Sequence, residues 1–164
     1  MTVKKRDMVV LAGDVGGTHT RIGLYVMGKK RPEPLGVEGF PSRGAPHLEN
    51  IVARFLESHP MPISSAAFGI AGPVIKGRCK ATNLPWVLSE AMMQRRFHWR
   101  HVRFLNDLAA AALAIPLLRR SEQVSLNRGS MERKGNLAVL SPGTGLGQAM
   151  LVFQDGKYAP LSSE

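Results

Sequence analysis

The sequence predicts an α/β fold, a mixed β-sheet flanked by helices. Two observations carry that expectation. Two apolar runs, Met8 to Gly13 and Arg21 to Met27, lie on either side of a Gly-Gly pair, the pattern of a hairpin rather than of a parallel crossover. Beyond residue 46, segments with helical spacing alternate with short apolar runs, the pattern of parallel neighbours joined by helices. A chain that opens as a meander and continues as alternating strands and helices builds a sheet with both kinds of pairing.

The elements follow in order. Met8 to Gly13 is a β-type run, and Arg21 to Met27 is a second with partial alternation. Between them, the glycine pair of Asp14-Val15-Gly16-Gly17-Thr18 suits a tight turn. Residues 35–40 are expected to add a third strand. Pro46 opens a helix to about Ser58, with Leu48, Ile51, Val52, Phe55 and Leu56 at helical spacing. Ser64 to Ala71 reads as a buried strand ended by Gly72-Pro73. Ser89 is placed to cap a helix with Glu90 in its first turn, running to about Phe97. Val102 to Leu105 is a short strand. Asn106 then starts an alanine-rich helix, Leu108 to about Leu118, which Pro116 bends or ends. Residues 119–135 are polar and read as a loop or lid. Leu137 to Leu140 and Ala149 to Phe153 are strands around the glycine loop Gly143 to Gly147, and Asp155-Gly156 is a hairpin signal. Residues 1–7 form a basic N-terminal tail, and 8–164 are expected to make one domain.

Composition narrows the class. A length of 164 residues fits one domain, and 44% apolar residues allow a full core. No apolar stretch is long enough to span a bilayer, so no membrane partner is expected. The run Met8 to Ala12 is too short for a signal-peptide core, and Cys79 is the sole cysteine, so no internal disulfide forms. Both point to a cytoplasmic protein. The net charge of +10 raises the question of nucleic acid. The basic residues are dispersed, however, in local groups such as Arg95-Arg96 and Arg119-Arg120 with few interleaved aromatics. No helix-turn-helix signal precedes Met8, so no nucleic-acid partner is expected.

Four segments bear chemistry, and each has a plainer reading. In Gly13-Asp14-Val15-Gly16-Gly17-Thr18, a Gly-Gly turn lets backbone N–H groups face a phosphate because no Cβ blocks approach. Thr18 adds a hydroxyl donor, and Asp14 can hold Mg²⁺ through water. An ordinary hairpin turn is the alternative. Ser141-Pro142-Gly143-Thr144-Gly145-Leu146-Gly147 fits neither a dinucleotide fingerprint nor a Walker loop, since no Gly-Lys-Ser or Gly-Lys-Thr occurs. It suits a second phosphate-facing turn between strands. In Leu105-Asn106-Asp107-Leu108, a carboxylate at a strand-to-helix junction can accept a hydroxyl proton, and Asn106 can bind a sugar hydroxyl. Either residue could instead only cap the helix. The fourth is Gly69-Ile70-Ala71-Gly72-Pro73-Val74 followed by Thr82-Asn83-Leu84-Pro85-Trp86, where Asn and Thr offer hydrogen bonds beside an aromatic body. A loop with its Trp in the core is the alternative.

In this order, the stretches Gly13 to Arg21, Gly69 to Val74, Thr82 to Trp86, Phe104 to Ala112 and Leu140 to Gly147 resemble the bacterial glucokinase family. The resemblance implies a ribonuclease H-like, actin-like ATPase N-terminal domain over residues 8–164, ending where a C-terminal domain would begin. It implies ATP with Mg²⁺ as cofactor and glucose as substrate, phosphorylated at the 6-hydroxyl. By position, Gly13, Asp14, Val15, Gly16, Gly17 and Thr18 would form the first phosphate motif, with Asp14 orienting the metal. Gly143, Thr144 and Gly145 would form the second. Asp107 would be the general base, and Asn106, Asn83 and Glu164 would bind the sugar. Two positions depart from the family pattern. His19 stands where Asn is most frequent, and Ser162-Ser163 replaces Pro-Gly ahead of Glu164. Alone, the chain is expected to turn over little and to self-associate, as a homodimer, through surface left by the absent domain. A kinase-derived sugar sensor and a kinase for another hexose compete with this reading. Intact Asp14 and Asp107 count against the sensor, which needs no base.

Overall fold

The computed structural model describes residues 8–28, 31–130, 132, 134–142 and 146–161, and within the chain two compact units form, Met1–Asp107 and Leu108–Glu164. In the first, strands β1 (Val9–Val15), β2 (His19–Met27) and β3 (Pro32–Pro41) make the expected meander. Helix α1 (Leu48–Ser58) follows, then β4 (Ser65–Ile70). Strands β5 (Val74–Ile75), β6 (Arg78–Lys80) and β7 (Val87–Ser89) come next, then α2 (Glu90–Phe97) and β8 (His101–Asn106). Helix α3 (Asp107–Ala114) starts at the boundary between the units.

The main sheet has five strands in the order β3-β2-β1-β4-β8. Its β1–β2 and β2–β3 pairs are antiparallel, while β1–β4 and β4–β8 are parallel, so the sheet is mixed. Cross-strand partners share a face, which sorts the side chains. One face carries Val9, Leu11 and Val15 of β1, Ile22, Leu24 and Val26 of β2, Ala66, Phe68 and Ile70 of β4, and Val102 and Phe104 of β8, all buried. Gly13 belongs to this face as well, and a Cβ there would fall 2.4 Å from Phe68 Cδ1. The Phe68 ring occupies that space, so packing accounts for the glycine.

Helix α1 buries Leu48, Ile51, Val52 and Phe55, the helical spacing read from the sequence. Each such burial stabilises the fold by about 1.5–3 kcal/mol. The helix begins two residues after Pro46. At α2 one expectation needs correction. Ser89 stands at the N-cap without a side-chain cap bond, and the first-turn carboxylate of Glu90 instead accepts the Phe104 N–H at 2.7 Å, tying the helix to β8. A small sheet, β5-β6-β7, was not expected from the sequence. Its first turn runs through Lys76 at φ 48 and Gly77 at φ 70. Trp86 is buried with its Nε1–H donating to the Ala45 carbonyl at 3.1 Å, so the plainer reading of that aromatic holds.

In the second unit, α3 gives way at Ala114 to a 3-10 turn, Ile115–Leu117, with Pro116 inside it as expected. Another 3-10 turn, Arg120–Glu122, follows shortly after. Strands β9 (Leu137–Pro142), β10 (Leu146–Gln154) and β11 (Lys157–Leu161) form an antiparallel sheet. Ala112, Ala149 and Leu151 are its buried centre, with Leu108, Leu113, Val139 and Tyr158 packed around them. The β10–β11 turn is the expected one, with Asp155 at φ 51 and Gly156 at φ 78. Among the described residues, no helix is long and apolar enough to cross a membrane.

Candidate active site

In the first unit, three parallel strands end level. Val15 of β1 pairs with Ile70 of β4, which pairs with Asn106 of β8. In open α/β sheets, ligands bind in the crevice beyond the carboxyl ends of the strands, because the loops leaving them converge there. Three of the segments singled out in the sequence leave from this edge: the Gly16-Gly17-Thr18 turn, the Ala71-Gly72 loop and the Asn106-Asp107 junction.

The turn after β1 is committed differently from residue to residue. Gly13, Asp14 and Val15 lie in a strand paired on both sides, so their backbone groups belong to the sheet. The Gly16 N–H donates to the His19 carbonyl at 3.0 Å. The N–H groups of Gly17 and Thr18 have no such bond among the described residues, which leaves two adjacent donors for an anion. Neither Gly16 nor Gly17 adopts positive φ. Close approach explains the pair instead. A Cβ on Gly17 would fall 2.6 Å from Cβ of Asn83, and one on Gly16 would fall 3.0 Å from the His19 carbonyl oxygen. The turn and the Asn83 loop, far apart in sequence, are therefore in direct contact.

A carbonyl hub holds the loops together. The Ala71 N–H donates to the Val15 carbonyl at 3.2 Å. The Ala71 carbonyl accepts both the Thr82 N–H at 3.1 Å and the Thr82 hydroxyl at 3.0 Å. The next carbonyl, of Gly72, accepts from the Asn106 side-chain amide at 3.3 Å. Gly72 sits at φ 149, and a side chain there would press on Lys80 O, Thr82 Oγ1 and Cys79 Sγ at 3.0–3.3 Å. Two consecutive carbonyls thus fix Asn106 on one side and the loop bearing Asn83 on the other.

Behind the turn stands a support that the sequence did not reveal. Ser42 and Thr20 are both fully buried polar residues. The Ser42 hydroxyl donates to the Gly16 carbonyl at 2.7 Å and is hydrogen-bonded to Thr20 Oγ1 at 2.9 Å, and the Ser42 N–H donates to the Thr18 carbonyl at 2.9 Å. A lone Ser after a Pro carries no periodic or motif signal. Only its burial against the turn identifies it.

Asp14 and Asp107 are both exposed, as is Asn83, while Asn106 is half-buried. Strand alternation puts Asp14 on the opposite face from Val15 and Asn106. Asp107 is the first residue of α3. Its charge reaches β6, where burial first and the Asp107 carboxylate second push the Cys79 thiol above its ordinary value. Among the described residues, no group of three or more His, Cys, Asp or Glu side chains could hold a metal. Gly143, Thr144, Gly145 and Glu164 lie outside the described residues.

The family model for glucokinase matches residues 11–164. The chain belongs to the glucokinase family. A glucokinase from Nostoc punctiforme is 34% identical over 158 residues, covering 95% of this chain and 46% of the relative. A crystal structure of glucokinase from an Antarctic psychrotroph superposes with a TM-score of 0.86 at 32% identity, covering 95% of this chain and 50% of that one. A ROK family glucokinase from Streptomyces griseus, solved with glucose and AMPPNP, shares the fold at a TM-score of 0.62 and 20% identity, covering 92% of this chain and 46% of that one. The glucokinase match and the mixed sheet agree with the expected actin-like ATPase fold. The chain spans about half the length of these family members.

Proposed function

We propose that these residues form the catalytic lobe of an ATP-dependent glucose 6-kinase. The observation that carries this reading is the common edge, where Gly17, Thr18, Asn83, Asn106 and Asp107 lie on loops leaving parallel strands or packed against them. Asn106 and Asn83 bind sugar hydroxyls. The Gly17 and Thr18 N–H groups, with the Thr18 hydroxyl, take a phosphate of the nucleotide. Gly143, Thr144 and Gly145 serve as the second phosphate motif, and Glu164 adds a sugar contact.

A single exposed carboxylate suits Mg²⁺, which keeps most of its water and binds through one or two carboxylates together with substrate phosphates. Asp14 fits that role, holding the ion through water. An ion held there would supply charge neutralisation for the phosphates of the nucleotide. Asp107 accepts the proton of the 6-hydroxyl as that oxygen attacks the γ-phosphorus, and ADP leaves from the opposite side. The products are glucose 6-phosphate and ADP. Most of the rate then comes from positioning and charge stabilisation. That makes the fixed carbonyls of Ala71 and Gly72 part of the machinery through the residues they hold.

Two measurements test the proposal. In a polypeptide joining these residues to the remaining half of a family member, Asp107→Ala should lower kcat by about 10²–10⁴-fold while glucose affinity stays largely intact. Equal loss of both would reduce Asp107 to a helix-terminal residue. The 164-residue chain alone should show weak glucose binding by calorimetry and little ADP release. Robust glucose-dependent ADP production by it would overturn that part. Light scattering should find it as a homodimer, since Leu140, Leu146, Met150 and Leu161 are exposed on the second unit.

A further inference from the structure

Between β3 and α1 lies a cavity of about 360 Å³ that none of the predicted site residues lines. Its walls are Phe40, Pro41, Arg43, Asn50, Ile51 and Arg54, with Gly44 and Ala45. The volume falls in the range of small-molecule sites, about 300–1,000 Å³. Two guanidinium groups and no carboxylate line it. Neither Arg43 nor Arg54 has an ion pair or hydrogen bond among the described residues, so both forks are available. The Arg54 guanidinium lies over the Phe40 ring, 5.8 Å from its centroid, which orients the fork. Gly44, at φ 96, turns the chain so that residues before and after it share this cavity.

We infer that this cavity binds a small phosphate monoester with a compact apolar body. Arg43 and Arg54 would grip the phosphate dianion by charge-assisted, bidentate bonds. Phe40, Pro41 and Ile51 would cover the apolar part, and the Asn50 amide would meet a polar substituent. The cavity also has a path to the catalytic edge. Its wall, residues 40 to 45, includes Ser42, whose hydroxyl and N–H hold the Gly16 and Thr18 carbonyls at 2.7 and 2.9 Å. A ligand drawn onto Arg43 shifts the segment that supports the turn, and so changes how Gly17 and Thr18 present their N–H groups. That regulatory consequence rests on the reading of the turn as a nucleotide-phosphate site. The binding itself does not.

The test is a ¹H–¹⁵N titration of the 164-residue chain with phenyl phosphate, beside parallel titrations with benzyl alcohol and with ATP-Mg²⁺. Phenyl phosphate should give saturable shifts at Gly44, Asn50 and Arg54, with Gly17 and Thr18 following at the same midpoint. Benzyl alcohol should give none. Arg43→Gln and Arg54→Gln should each weaken binding about tenfold, since each removes a charge-assisted pair. Arg43→Lys, which keeps the charge and loses the fork, should fall between. No saturable shift at residues 43 to 54 in the unmodified chain overturns the proposal. So do shifts confined to Gly17 and Thr18, which would put the phosphate on the turn and leave the kinase reading standing. Conversely, in the polypeptide joining these residues to the remaining half of a family member, no ATP-Mg²⁺ response at Gly17 and Thr18, with the cavity amides still shifting, would remove the kinase reading and leave the cavity site.

Discussion

Two glycine-bearing hairpin turns look alike in the sequence and differ in what they ask of glycine. In the β10–β11 turn, Asp155 and Gly156 both adopt positive φ, and a Cβ on Gly156 would meet nothing within 4 Å. There glycine answers a backbone need in open space. In the β1–β2 turn neither glycine has positive φ, and a Cβ on Gly17 would collide with Asn83. Here glycine answers crowding from a loop that joins it at the same edge. The difference separates a connection from a site. A glycine whose φ any residue could adopt, yet which has no room for a methyl group, marks a close approach between chain segments.

The largest effect should come from forcing that crowding. Gly17→Ala should lower stability by about 1–3 kcal/mol in urea unfolding, because the new methyl group displaces the Asn83 loop. Adding Asn83→Gly should recover much of the loss. If Gly17→Ala unfolds at the same urea midpoint as the parent chain, the two loops are not in close contact. Next comes the support behind the turn. Ser42→Ala leaves the Gly16 carbonyl and the Thr20 hydroxyl short of a partner in a buried place, at a cost of about 1–3 kcal/mol. Smallest is Gly156→Ala, at roughly 1 kcal/mol for a side chain held at φ 78, with no change in sugar binding. A larger effect there than at Gly17 would invert the comparison.

The same physics explains what could be read beforehand. The runs around β1, β2 and β4 were legible because one apolar face repeats at period two and glycines bound it. Helix α1 was legible from Leu48, Ile51, Val52 and Phe55. The small sheet was not, since strands of two or three residues leave no periodicity to detect, and Lys76 at φ 48 disguises its turn. At the site, the Asn106-Asp107 junction was visible as a strand-to-helix change, but its residues alone favoured a helix cap over a base. Gly13 belongs to the phosphate motif only by its place in the sequence, and the ring of Phe68 fills the space beside it. Ser42 was silent because its meaning lies in two carbonyls more than twenty residues away in the chain. Tertiary closeness of that kind has no local signature.

The pair of carbonyls at Ala71 and Gly72 has a consequence for how this protein tolerates insertions. Because consecutive peptide units serve partners on opposite sides, the loop works as a ruler one peptide unit long. Adding or removing a residue between Ile70 and Gly72 would turn one carbonyl away and release either Thr82 or Asn106. Apart from Gly72, composition at this bend could drift, but its length could not. A peptide tag or reporter therefore belongs at the Asp155-Gly156 tip, where nothing is being measured out.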